Sequence, residues 1–174
     1  MPEITKVYKQ EMPAVRFIGI KYADEDRVDG GFGAKWCEWF EKGRFDKLEG
    51  LNPTQFFEDS EASIGLMRWK DGEPFQYWIG MFLPAGTELP EGFASVDFPA
   101  STLGVAWLYG KDGEVYGQEH VCAKALREQQ GMNVVPDVND ADAWWFFERY
   151  VCPRFTEPDA KGNITLDICH FVKE

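Results

Sequence analysis

Trp144-Trp145-Phe146-Phe147-Glu148-Arg149-Tyr150 sets four aromatic rings directly before a carboxylate, a guanidinium and a phenol. Aromatic residues favour the pleated, half-buried geometry of a strand. Strand alternation puts Trp144, Phe146, Glu148 and Tyr150 on one face, and Trp145, Phe147, Arg149 and Val151 on the other. Both faces are largely apolar, so this strand is expected to be covered on both sides. Glu148 is then a carboxylate inside an aromatic wall. A buried charge without a partner is costly, so Glu148 must be paired, protonated or kept for a ligand. Arg68 and Arg16 are the cations that could pair it internally. Left unpaired, the anion would select a cationic or hydrogen-bond-donating ligand, with aromatic faces stacking on it. The same burial would raise its pKa and suit it to general acid or base chemistry.

Tyr150 and Phe146 share the face of Glu148 and are the next candidates for a ligand pocket, with Trp144 farther along. On other strands the candidates are Trp107, Tyr109, Trp69, Tyr77 and Trp78. Tyr77 and Trp78 are adjacent and must point to opposite faces, so some of these rings belong to the core.

Other chemistries fit the sequence poorly. His120-x-Cys122 and Cys169-His170 do not form a standard zinc ligand pair. Cys169 and His170 would oppose each other on a strand, which leaves the thiol without a base on its own face. In the acidic loop Asp24–Asp29, Val28 falls where an oxygen ligand for calcium should be. Gly30-Gly31-Phe32-Gly33 lacks the spacing and the Lys-Ser/Thr ending of a phosphate cradle. The acidic tract 137–142 reads as a solvated loop. No metal or cofactor is expected.

The chain has 174 residues, enough for a single domain or two small repeats sharing a core. Apolar residues make up 44% and aromatic residues 16%, which points to an aromatic core with some rings lining a cavity. The formal charge is -12 and no basic cluster appears, so direct nucleic-acid binding is not expected and a cationic or neutral apolar partner suits the field. Cys37, Cys122, Cys152 and Cys169 lie among apolar residues without a C-x-x-C pair, as reduced thiols do. With no signal-like opening and no stretch long enough to span a membrane, the chain reads as cytoplasmic.

The elements that must position these residues follow in order. Residues 13–22 form a strand, residues 34–48 a helix with an apolar stripe of Trp36, Cys37, Trp39 and Phe40, ended by Gly50 and Asn52-Pro53. Residues 62–69 and 75–83 are strands joined by the hairpin signal Lys70-Asp71-Gly72-Glu73. A linker at 84–97 follows. The pattern then repeats as a strand over 98–109, a helix over 115–130 stopped by Gly131, and strands over 144–152 and 164–172. Pro-Ala opens both units, a Gly sits mid-strand in both, and a Tyr closes the first strand of each. The expectation is an α+β fold of two pseudo-symmetric strand-helix-strand-strand modules, about 1–83 and 98–174. They would form an antiparallel sheet with helices on one face and a ligand groove between the modules.

In that order, Phe75-x-Tyr77-x-x-Gly80, Pro84-x-Gly86-x-x-x-Pro90-x-Gly92-Phe93, Pro99-Ala100, Phe147-Glu148-x-Tyr150 and Asp167-Ile168-x-x-x-Val172 resemble the GyrI-like small-molecule-binding domain family. That family also supplies the effector-binding domain of AraC-type and multidrug-responsive regulators. The resemblance spans nearly the whole chain. It implies two symmetry-related modules whose groove binds lipophilic, often cationic, aromatic compounds, with the family's buried glutamate falling on Glu148. It also implies two alternatives to simple binding: hydrolysis of strained cyclopropane-bearing compounds through Glu148, or inhibition of DNA gyrase by protein contact. The regulators' added helix-turn-helix domain has no room in this chain.

Overall fold

The computed structural model describes residues 1–51 and 55–173. It is an α+β structure of one antiparallel sheet and three helices among the described residues. The strands are β1 (Glu3–Met12), β2 (Val15–Tyr22), β3 (Ser63–Lys70), β4 (Gln76–Pro84), β5 (Ala94–Phe98), β6 (Ser101–Lys111), β7 (Asn133–Val134), β8 (Ala143–Tyr150) and β9 (Asn163–Lys173). The helices are α1 (Gly33–Glu41), α2 (Arg44–Glu49) and α3 (Glu119–Gln130). Across the sheet the order is β1-β6-β9-β8-β3-β4-β2-β5, with the short β7 added to β9. The strands β3 and β8 therefore meet in the middle.

One row across the sheet fixes what lies on each face. Ile20, Ile79, Gly65, Glu148, Ile168, Ala106 and Val7 are consecutive cross-strand partners from β2 to β1. Residues directly opposite one another share a face. Ile79 packs with Trp39, Phe45 and Leu48 of α1 and α2, while Ile168 and Ala106 pack with Cys122 of α3. All three helices thus cover the face that carries Glu148. Glu148 is the only polar side chain in that row.

The other face holds a core rich in rings. Phe17, Trp78, Phe82, Phe98, Trp145, Phe147 and Phe171 are buried together there. The sheet curls over them: Phe98 of the edge strand β5 stacks on Phe171 of β9 with centroids 5.1 Å apart. Within this face lies a polar knot centred on Arg149, which donates to Asp167 at 2.9 Å, to Gln10 at 2.9 Å and to the Tyr8 hydroxyl at 3.3 Å. Arg154 donates to the same Asp167 at 2.6 Å and to Asp59 at 3.0 Å. Every charge in the knot is met by an opposite one, which is the condition for burying it.

The differences from the expected elements have local causes. The expected helix over 34–48 is two helices, because Gly43 takes a left-handed conformation (φ 64°) that ends α1 and starts α2. Trp39 is its buried residue, while Phe40 of the expected apolar stripe is exposed. The expected stop at Asn52-Pro53 lies outside the described residues. The helix over 115–130 begins only at Glu119, although Gly131 ends it in the left-handed conformation as expected. Strands β1 and β5 have no counterpart in the sequence reading. Four of its five residues, Ala94–Asp97, lie in the segment 84–97 expected to be a linker, and Phe98 belongs to β5 rather than to the strand expected over 98–109.

Candidate functional site

Glu148 is carried by β8 and pairs with Gly65 of β3. Its face alternates as expected, with Phe146 on one side and Tyr150 on the other. No helix covers this middle of the sheet directly. Instead a cavity of about 1260 Å³ opens there, walled by residues of α1, of the start of α3 and of the loops before them. Met67, Tyr77, Met81, Phe146, Glu148 and Tyr150 come from the sheet, Phe32 and Trp36 from α1 and its approach, and Tyr116 and Glu119 from the approach to α3.

Glu148 is only 5% exposed. The Tyr150 hydroxyl donates to its Oε1 at 2.9 Å. Among the described residues no Lys or Arg pairs with it. Arg68 is engaged by Glu73 and Asp140, and Arg16 by Asp97, so neither internal pairing considered from the sequence is made. Burial raises the Glu148 carboxyl to about 7; the Tyr150 hydrogen bond offsets part of this, and the nearby Glu119 adds to it. Burial and the Glu148 charge likewise push the Tyr150 and Tyr77 phenols up. The carboxyl therefore sits near the balance between its two forms at neutral pH.

Gly65 makes the tyrosine arrangement possible. A Cβ added there would lie 2.7 Å from the Tyr77 hydroxyl and 3.4 Å from that of Tyr150. With hydrogen in its place, the two phenols converge beside Glu148. Trp36 holds Tyr77 from above, its indole nitrogen donating to the Tyr77 hydroxyl at 2.9 Å. The Trp36 ring also meets Tyr150 edge-on at 4.8 Å, and Phe32 stacks on Tyr77 at 4.3 Å. Of the charged residues on the cavity wall, Glu49, Asp59, Glu61, Glu119 and Glu148 are acidic and Arg27 is basic. Asp59 is engaged by Arg154, and Arg27 by Asp24.

Of the candidates read from the sequence, Glu148, Tyr150, Phe146 and Tyr77 come together at the cavity. Trp78 lies on the opposite face, with its ring against Phe17. Trp107 is also on that face, between Lys6 and Arg154, each 4.5 Å from its ring. Tyr109 donates to Asp159. Trp69 and Trp144 lie on the Glu148 face but beyond the cavity wall. The sequence reading passed over Trp36, Phe32, Tyr116 and Glu119. In the sequence Trp36 falls on the apolar stripe of a helix and Tyr116 within the span 115–130 expected to be helical, so neither signals a pocket.

Cys169 and His170 do oppose each other. Cys169 packs in the ring-rich core with its thiol pushed up to about 12 by burial, while His170 stacks on Phe146. Burial holds His170 down at about 4, and its Nδ1 has no hydrogen-bond partner among the described residues. Among those residues, no group of three or more His, Cys, Asp or Glu side chains is placed to hold a metal ion. No helix among them is long and apolar enough to cross a membrane.

No family model and no curated protein matches the chain. Solved structures do. The protein SAV2435 bound to tetraphenylphosphonium is similar at 16% identity with a TM-score of 0.63, over 97% of this chain and 94% of that one. A proposed bacterial transcription regulation protein from Staphylococcus aureus is similar at 17% identity with a TM-score of 0.60, over 97% and 99% of the two chains. A hydrolase from Listeria innocua is similar at 10% identity with a TM-score of 0.52, over 97% and 92%. At these identities the likeness establishes a shared fold.

Proposed function

We propose that this chain is a small-molecule-binding protein whose ligands are lipophilic aromatic cations held in the cavity over Glu148. One observation carries this: a carboxylate 5% exposed, with no cation paired to it among the described residues, at the floor of a ring-walled cavity of about 1260 Å³. Ligand pockets run to roughly 300–1,000 Å³, so the space admits a drug-sized molecule. A cation entering it would supply the charge that Glu148 lacks, and the rings would stack on its aryl groups. The excess of acidic residues on the wall and the formal charge of -12 favour the same class. The complex of SAV2435 with tetraphenylphosphonium, on the same fold, supports it.

The strand order supports a single GyrI-like domain of two like modules. Read inward from either edge, β1-β6-β9-β8 and β5-β2-β4-β3 run in corresponding order, and the cavity lies over their seam. The four free thiols suit a reducing, cytoplasmic setting. Calorimetric titration with tetraphenylphosphonium provides the test. Binding weakened at least about tenfold in Glu148→Gln is the expected result, since a lost charge partner in a desolvated site is worth more than about 1.4 kcal/mol. Equal affinity in both proteins would remove the charge role.

A second reading has its own observation. A carboxyl near 7 beside a phenol is suited to take a proton from water at neutral pH. In that reading Glu148 takes a proton from water as the water oxygen attacks an electrophilic carbon, such as that of a strained cyclopropane; the C–C bond opens, its electron pair goes to the departing carbon, and that carbon takes the proton back from Glu148. The Listeria innocua hydrolase shares the fold. Product formed no faster than in buffer would dismiss this reading.

A further inference from the structure

The seven tryptophans divide sharply in their use. Trp36, Trp39, Trp78, Trp107 and Trp145 each donate the indole N–H to a protein oxygen and each pack on another ring. Trp69 and Trp144 do neither among the described residues. These two are direct cross-strand partners on β3 and β8. Trp69 is 48% exposed and Trp144 is half-buried. A buried or half-buried indole usually finds an acceptor, and indoles left with a free edge and face are characteristic of contact surfaces.

Their position ties them to the cavity. Along the β3/β8 seam, the residues facing the helices form successive pairs: Gly65 with Glu148, Met67 with Phe146, Trp69 with Trp144. Met67 and Phe146 line the cavity, so the tryptophan pair continues its floor outward. Trp144 lies four positions along β8 from Glu148, about 13 Å at the rise of an extended chain. The loop 137–142, with Asp137, Asp140 and Asp142, leads into this end of β8, and Asp71 and Glu73 flank the adjoining hairpin. Asp140 and Glu73 are met there by Arg68 and Lys70, on either side of Trp69, so the tryptophan pair offers ring faces rather than net charge.

We infer that Trp69 and Trp144 form an outer subsite that grips a second flat aromatic group of the same ligand, so that the protein selects elongated aromatic cations. This rests on the reading of the cavity as a cation site, with the charged centre over Glu148 and the second ring system about 13 Å away. Two indoles stacking on one ring system would each add the modest energy typical of aromatic pairs, together about a tenfold gain in affinity.

Three probes separate the two claims: tetraphenylphosphonium, an alkyl-triphenylphosphonium, and the same alkyl compound with a naphthyl group at its far end, about 13 Å from phosphorus. The naphthyl compound is expected to bind about tenfold more tightly than its plain alkyl parent. Trp69→Ala should abolish that advantage and leave tetraphenylphosphonium affinity unchanged, and Trp69→Phe should retain most of it. Trp69 is half exposed, so its replacement leaves the core intact, and Trp144→Ala provides the second variant. If tetraphenylphosphonium binds but the naphthyl advantage is absent, or survives both alanine variants, the subsite is overturned while the cation reading stands. If none of the three phosphonium compounds binds, both are overturned.

Discussion

A carboxylate kept in an apolar wall should cost the fold stability, and replacing it should return that stability. Burial lifts Glu148 from 4.5 to about 7. At about 1.4 kcal/mol for each pKa unit, that is a cost of about 3 kcal/mol once the group is ionised in the folded state. The sign follows from linkage: a raised folded pKa gives a contribution fully present below 4.5 and lost as the pH rises through about 7. Glu148→Gln keeps an oxygen to accept the Tyr150 hydroxyl and removes the charge. The variant is therefore expected to be more stable than the wild type by up to about 3 kcal/mol at pH 8, with the gap closing as the pH falls towards 4.5. Urea unfolding followed by tryptophan fluorescence measures this. With a urea slope of about 1–3 kcal/mol per molar, the midpoint should move by roughly 1–3 M at pH 8. A gap that is the same at pH 5 and pH 8, or a variant less stable at pH 8, would refute the claim that Glu148 is an unpaired buried acid.

Three further outcomes follow from the same geometry. His170 is held at about 4 against an ordinary 6.5, so stability present above 6.5 is lost as the pH falls through about 4; His170→Phe should remove that part of the acid sensitivity, about 3 kcal/mol, in unfolding curves at pH 4 and pH 7. Asp167→Asn leaves the buried Arg149 short of its main counter-charge and should cost roughly 3–5 kcal/mol by chemical denaturation at neutral pH. Gly65→Ala drives a methyl group against the Tyr77 hydroxyl and should cost about 1–3 kcal/mol in stability while weakening tetraphenylphosphonium binding, as calorimetry would record.

The alternation in Trp144–Tyr150 was enough to place Glu148, Phe146 and Tyr150 together and to set Arg149 on the other face. Period-two patterning is dictated by the backbone itself, and it held over β8 and β9. It also separated Tyr77 from Trp78. It could not say which of the two faced the cavity, because that depends on where the helices pack. Strand β1 escaped notice because Lys6, Lys9 and Glu11 interrupt its apolar residues, as charges do on an edge strand with a single neighbour. Strand β5 lay among the turn residues Gly86, Pro90 and Gly92, which masked it. The role of Gly65 has no signature in sequence. It appears only when β3, β4 and β8 stand side by side and two phenols need the space a Cβ would fill. Trp36 and Glu119 reach the cavity from separate helices, a meeting that local patterns do not encode.

The central claim is that an ionised Glu148 recognises a cation, and the affinity for tetraphenylphosphonium as a function of pH addresses it most directly. With the carboxyl near 7, about a tenth of it is ionised at pH 6 and about nine-tenths at pH 8. The wild type should therefore bind about tenfold more tightly at pH 8 than at pH 6, while Glu148→Gln binds weakly at both. Affinity that does not change with pH in the wild type, or that changes equally in the variant, would contradict the account.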